Sequence, residues 1–308
     1  MGAPDFAACS GCSLCLLVCP VWRRTRDLRF TPHGRAKALQ HGVPAAELAD
    51  SVDSCTLCGA CEPVCPENID LVGMTLGLRA QLPQPTLPPA AVTAAKPDYA
   101  GRTVLLAGAA LRAHPAALRR ALALLGAVAA TDDGDDLALA LESGAPLDEA
   151  RRAAFLAPLR AATAIVVADG LLYRTLARWQ PRARVTSLGY ALSRRAEVRG
   201  ALRTGDLYVI EPRAFHADHA RRVVHYDDLR HDAGCAVSLD LLRMAVPATA
   251  RSLRQRLGLQ ACDDDGQIRW LLQGRKIARI VVEDAADLAP LAQASGLPVV
   301  HVAELTDE

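Results

Sequence analysis

Residues 9–20 read CSGCSLCLLVCP and residues 55–66 read CTLCGACEPVCP. Each run is Cys-x2-Cys-x2-Cys-x3-Cys-Pro, with Cys9, Cys12, Cys15 and Cys19 in the first and Cys55, Cys58, Cys61 and Cys65 in the second. Eight of the ten cysteines thus sit in two short runs. In a reducing compartment such clustering argues for metal rather than for disulfides. Structural zinc uses paired knuckles, not triplets. A thioredoxin-type redox pair has no need of four cysteines twice.

The spacing is that of two-cluster bacterial ferredoxins, which hold [4Fe–4S] cubanes. Three thiolates two residues apart can wrap three corners of a cubane from one compact turn, while backbone N–H groups point at its sulfurs. The fourth cysteine leaves on a helix facing the other way, helped by the following proline, and in this pattern it ligates the other cluster. The expected sets are therefore crossed: Cys9, Cys12, Cys15 and Cys65 for one cluster; Cys55, Cys58, Cys61 and Cys19 for the other. Neither set lacks a ligand, so neither offers an open iron to a substrate. Two complete clusters favour outer-sphere electron transfer, with no catalytic site expected in this chain.

Outward from the motifs, 308 residues at 51% hydrophobic can bury a full core and suggest about two domains. A net charge of +1 favours neither nucleic acid nor acidic lipid as a partner. The start lacks a basic n-region followed by an apolar h-region, and no apolar run approaches the roughly 20 residues that span a bilayer. Phe6 stands where a myristoylation signal wants Ser or Thr. The chain reads as cytoplasmic, with any membrane contact made through a partner.

Residues 1–82 hold both cysteine runs among short helices. Leu48, Val52 and Cys55 fall at helical spacing, and DLVGMTLGLRAQL reads as a closing helix. Residues 83–100, with Pro83, Pro85, Pro88, Pro89 and Pro97, read as a linker. Beyond it, apolar strands alternate with Ala/Leu/Arg helices, which implies parallel sheet covered by helices. Strands are expected at Thr103–Ala109, Ala164–Asp169, Val185–Leu188, Leu207–Glu211, Ala278–Glu283 and Val299–Val302. TVLLAGA, ATAIVVADG and ARVTSLGYAL are echoed by DLYVIEP, IARIVVEDA and LPVVHVAEL. That repeat predicts two related α/β lobes, 101–200 and 201–308.

CPVWRRTRDLRFTPHGRAKAL after the first motif, followed by SCTLCGACEPVCPENIDLV, resembles the iron–sulfur subunits of anaerobic-type glycerol-3-phosphate dehydrogenase, glycolate oxidase, lactate-utilisation and heterodisulfide reductase complexes. The resemblance implies an α-helical ferredoxin module over residues 1–80. The family's PRGR element is Pro32-His33-Gly34-Arg35 here, with one Arg replaced by His. More weakly, the remainder resembles the family's duplicated Cys-Cys-Gly domain in degenerate form. Its counterparts here are Asp132-Asp133-Gly134 and Cys262-Asp263-Asp264-Asp265-Gly266, so the thiolates are gone. Residues 208–250 are similar to the iron–sulfur proteins of dimethylglycine-type demethylase systems. That similarity implies a flavoprotein dehydrogenase or demethylase as partner, with an electron-transfer flavoprotein or quinone as acceptor, in a hetero-oligomer.

Cys235 and Cys262 read as a buried small hydrophobe or a surface thiol. His216, His219, His225 and His231, with Asp218, Asp227 and Asp228, read as structural or solvated. Arg23, Arg24, Arg26, Arg29 and Arg35 either offset the charge of anionic clusters or dock an acidic partner, or simply line a solvated loop. No nucleotide-binding or hydrolase motif is present. The alternatives to an electron relay are a heterodisulfide-reductase-like catalytic subunit, which needs the missing Cys-Cys-Gly ligands, and a non-redox iron–sulfur scaffold.

Overall fold

The computed structural model describes residues 6–87, 97–181 and 183–305. The centre of the expected linker, residues 88–96, lies outside the described residues. About half the chain is helical, and the rest is organised around parallel sheet.

The N-terminal segment is built from five short helices: α1 (Leu14–Val18), α2 (Pro20–Thr25), α3 (Pro32–Gln40), α4 (Ala49–Ser54) and α5 (Leu71–Arg79). Prolines sit at the starts of α2 and α3, where a missing N–H costs nothing. Thr31 caps α3 by accepting from Gly34 N–H at 3.0 Å. Gly34 is required there, because a Cβ would lie 2.0 Å from the Leu28 carbonyl oxygen. Ala36, Leu48, Val52, Ile69, Met74 and Leu78 form the small core between the helices. The expected helix through Leu48, Val52 and Cys55 is broken: a 3-10 turn (Ala45–Leu48) precedes α4, and Cys55 lies beyond α4 in extended backbone.

The first sheet contains β1 (Thr103–Leu106), β2 (Ala127–Ala129), β3 (Ala164–Val167) and β4 (Val185–Ser187), all parallel, in the order β2-β1-β3-β4. The second contains β5 (Asp206–Val209), β6 (Ala236–Val237), β9 (Arg279–Val282) and β10 (Val299–His301) in the order β10-β9-β5-β6. Its strands are also parallel. Between β6 and β9 the chain adds a small antiparallel hairpin, β7 (Leu239–Asp240) and β8 (Met244–Ala245). Read from the β2 and β6 edges, both sheets run second, first, third, fourth, so the repeat seen in sequence is a repeat of topology. All six expected strands are present. The first ends earlier than expected: β1 stops at Leu106, and Gly108, in left-handed backbone at φ 67°, turns the chain into the helix Gly108–Arg112.

Strand alternation explains the layering. Leu105 and Val166 of the first sheet and Tyr208 and Val281 of the second face one shared core. Val104, Leu106, Ile165 and Val167 face the outer helices of the first sheet, including Glu149–Leu159 and Gly170–Trp179. Leu207, Val209, Ile280 and Val282 face the helices Asp265–Leu272 and Leu288–Ser295. The central strands are thus apolar on both faces, as parallel strands covered by helices must be.

Candidate functional site

The two cysteine runs fold into two loops with the same backbone signature. Gly11 and Ser13 have φ of 83° and 65°, and Leu57 and Gly59, at the matching positions, have φ of 54° and 80°. Such left-handed residues turn successive N–H groups inward and form a concavity suited to an anionic group. Leu57 holds this conformation without being glycine, at a cost of roughly 1–2 kcal/mol. Its side chain is buried against Val72 and Leu171, which fixes it there.

Four cysteines line each hollow, and the sets are crossed. Cys9, Cys12, Cys15 and Cys65 surround the first; Cys19, Cys55, Cys58 and Cys61 surround the second. All eight thiols are free of disulfides. Backbone donors reach the sulfurs: His33 N–H to Cys15, Val21 and Trp22 N–H to Cys19, Leu57 N–H to Cys55 and Ala60 N–H to Cys58. Thr56 and Thr75 hydroxyls add to the second hollow. Soft donors, inward N–H groups and a left-handed cradle fit a [4Fe–4S] cluster in each hollow. Among the described residues, no group of three or more His, Cys, Asp or Glu converges on a single-ion position. A cubane spreads its four thiolates wider than one ion does.

Electrostatics separate the hollows. Burial pushes the Cys15 thiol up to about 11 and the Cys58 thiol up to about 12. Burial works to raise the Cys55 thiol as well, yet the Arg35 and Arg79 guanidiniums outweigh it and hold the thiol below the usual range. Arg35 is 1% exposed and donates to the Ser51 carbonyl at 2.9 Å. Arg79 spans three segments, donating to the Cys55 carbonyl at 2.7 Å, the Val52 carbonyl at 3.1 Å and the Glu142 carbonyl at 2.6 Å.

The α/β region closes over the second loop. His216 donates from Nδ1 to the Cys58 carbonyl at 2.7 Å, while Ala245 N–H donates to its Nε2 at 3.1 Å. These partners fix the neutral tautomer, and burial takes the ring down to about 3. Arg213 donates to the Thr56 carbonyl at 3.2 Å. Arg174 grips Glu62 in a fork, at 2.5 and 2.9 Å, and reaches Asp70 at 3.2 Å. Among the described residues the first loop takes no such bond from the α/β region; its Cys9 carbonyl accepts from Lys37 and Gln40 of α3, and Cys12 is exposed, as are Leu14 (39%) and Leu17 (49%) of α1.

The arginine run is neither wholly solvated nor wholly directed at clusters. Arg35 is the buried donor above. Arg23 pairs with Asp240 at 2.9 Å and lies 3.5 Å from the Trp270 ring, and Arg24 donates to the Ala250 carbonyl at 3.0 Å. Both tie the helical segment to the second sheet's surroundings. Arg29 pairs with Asp27 at the surface. The four histidines do not converge: His225 bonds Ser193 at 2.8 Å, and His216 serves the loop. Cys235 is buried and Cys262 exposed. Asp132 is held by Arg151 at 2.8 Å and Asp133 by Arg112 and the Ala107 N–H (2.9 Å). Sequence reasoning missed His216, Arg79, Arg174 and Arg213 as supports of the second loop. Their partners lie far along the chain, and only the His/Asp-rich 211–231 stretch gave any signal.

A cavity of about 350 Å³ lies where the carboxyl ends of both sheets meet, and Thr56 and Cys58 form part of its wall. Glu211, fully buried there, is pushed up to about 8, chiefly by desolvation and then by Asp284 and Asp169 against the opposing effect of Arg213 and its N–H donors.

Residues 5–69 match the family model of the 4Fe-4S dicluster domain. The match supports an iron–sulfur protein with an electron-transfer role and covers both cysteine loops. No curated protein and no solved structure matches the chain. No helix among the described residues is long and apolar enough to cross a membrane.

Proposed function

We propose that the chain is the electron-relay subunit of an oxidoreductase complex and carries two [4Fe–4S] clusters. Cys9, Cys12, Cys15 and Cys65 would hold the first, and Cys55, Cys58, Cys61 and Cys19 the second. The observation that carries this reading is the pair of crossed four-cysteine hollows, each with inward N–H donors. When bound, the clusters supply reversible one-electron transfer. The protein's part is to hold them, to exclude water from the second and to leave the first near the surface. Leu14 and Leu17, beside exposed Cys12, lie on a helix packed against the hairpin turn at Leu241–Arg243, whose Leu241 and Leu242 are 55% and 54% exposed. An apolar patch of this kind suits a protein partner.

The finer reading names that partner as a flavoprotein dehydrogenase or demethylase, of N-methylated amines by the similarity of residues 208–250, with an electron-transfer flavoprotein or quinone as acceptor. The α/β units 101–200 and 201–308 then serve as the body that carries the dicluster segment (1–82), and Cys235 and Cys262 take no part in metal binding. The occupied state of Asp132 and Asp133 weighs against a degenerate Cys-Cys-Gly metal centre. Anaerobic purification tests the reading. About eight iron atoms per chain and a dithionite-dependent EPR signal are expected; zinc in place of iron, or four irons after reconstitution, overturns it.

A further inference from the structure

Each sheet reverses its strand order between its first and third strands, and open parallel sheets bind small ligands outside the carboxyl ends at such a reversal. Here both reversals open into one space. The residues that follow β1 (Gly108), β3 (Asp169), β5 (Glu211) and β9 (Asp284) all line the cavity of about 350 Å³. That volume is in the range of small-molecule sites.

The cavity is lined by more carboxyl groups than arginines. Of its three arginines, Arg213 pairs with Glu142 and Arg251 with Asp264 at 2.5 Å, while Arg256 lies against Glu142 with its Nε and Nη2 making no hydrogen bond among the described residues. Asp135, Asp169, Glu211, Asp284 and Asp287 also line it, and among the described residues none of these five has an ion-pair partner. Asp169, Glu211 and Asp284 are held by backbone N–H groups of the helical turns they cap. Asp287 differs. It is 8% exposed, lines the cavity, and its carboxylate has no hydrogen-bond donor among the described residues. A buried carboxylate facing open space without a donor is a group that a ligand can complete.

The rest of the wall narrows the ligand. It is largely Ala, Gly, Pro and Leu, which suits a short aliphatic body. No Phe, Tyr or Trp lines it, so an aromatic cage for a quaternary ammonium is absent among the described residues. Among the described residues, the acids also form no single-ion position. We infer that the cavity binds a small protonated aliphatic amine, whose N–H groups donate to Asp287 and Asp284. This goes beyond the relay reading, because it gives the chain a ligand of its own beside the second cysteine loop.

The test is calorimetric titration of the anaerobically purified full chain with butylammonium, dimethylammonium and 1,4-diaminobutane. Tetramethylammonium, 1-butanol and Mg²⁺ serve as comparators. Saturable binding by at least one N–H-bearing amine is expected, with none by tetramethylammonium or 1-butanol. Asp287→Asn should weaken amine binding roughly tenfold or more, the loss of one charge-assisted hydrogen bond. Asp284→Asn, which keeps an oxygen to cap its turn, is the second variant should the first fail to fold. Absence of binding by all three amines overturns the proposal. So does equal binding of 1-butanol, amine affinity unchanged in both variants, or Mg²⁺ binding that Asp287→Asn abolishes, which would make the site one for metal.

Discussion

The two cysteine loops share a motif, a backbone signature and a hollow completed by the fourth cysteine of the other run, yet their surroundings differ. The first lies open, with Cys12 exposed and solvent-facing leucines beside it. The second lies beneath the α/β region, with its backbone carbonyls taken up by His216, Arg213 and Arg79. A motif thus sets which thiolates gather, while the rest of the chain sets their solvent and dipoles. Since exposure and hydrogen bonding are what tune cluster potentials, two identical motifs can serve as two unlike stations.

The largest effect should come from exchanging the crossed ligands. Cys19→Ser is expected to perturb the centre at Cys55, Cys58 and Cys61, and Cys65→Ser the centre at Cys9, Cys12 and Cys15. EPR of each variant, with iron counts, decides it; a Cys19 variant whose altered signal belongs to the first loop would break the comparison. Next comes the clamp. Arg174→Met leaves Glu62 buried without its cation and should cost about 3 kcal/mol, read from thermal or denaturant unfolding. Arg29→Met, in the 3-10 turn Leu28–Phe30 outside both loops, removes only a surface pair and should leave the midpoint unchanged. Equal losses in the two would mean that the second loop is not specially supported.

His216→Leu should cost about 2 kcal/mol, because it strands the Cys58 carbonyl and the Ala245 N–H. It should also shift the EPR signal of the second centre and leave the first untouched. His216→Gln, which keeps a donor, should recover part of both effects. The smallest effect concerns pH. Glu211 is pushed up to about 8 from an ordinary 4.5, with Asp284, Asp169 and Arg213 as its charged neighbours. Its folded form therefore holds a proton that the unfolded chain releases, so its contribution is fully present below pH 4.5 and is lost as pH rises through about 8. Glu211→Gln should flatten the fall in stability over that window, as measured by urea unfolding at stepped pH; an unchanged slope would assign the fall to other groups.

Sequence made some of this legible and left the rest hidden, for physical reasons. The cysteine sets could be read because their spacing is local and their chemistry narrow. The central strands stood out because parallel strands buried on both faces are continuously apolar. β2 and β6 did not, being Ala-rich edge strands of three and two residues. The supports of the second loop were hidden because Arg174 and Glu62 are 112 residues apart and His216 and Cys58 are 158 apart. The cavity was hidden too. An acid directly after an apolar strand reads as a helix cap, which Asp169, Glu211 and Asp284 indeed are, and nothing local says that the three caps meet.

The bond from His216 to the Cys58 carbonyl spans 158 residues, and that distance is also a delay. A ribosome adding about 5–20 residues per second needs roughly 8–30 s to travel it. During that interval the second loop has left the ribosome and its cover has not been made. A cluster placed in the second hollow during that interval would meet a loop not yet covered. Once Pro212–Ala217 folds, His216 covers the Cys58 carbonyl, so a cluster placed afterwards would have to enter past that cover.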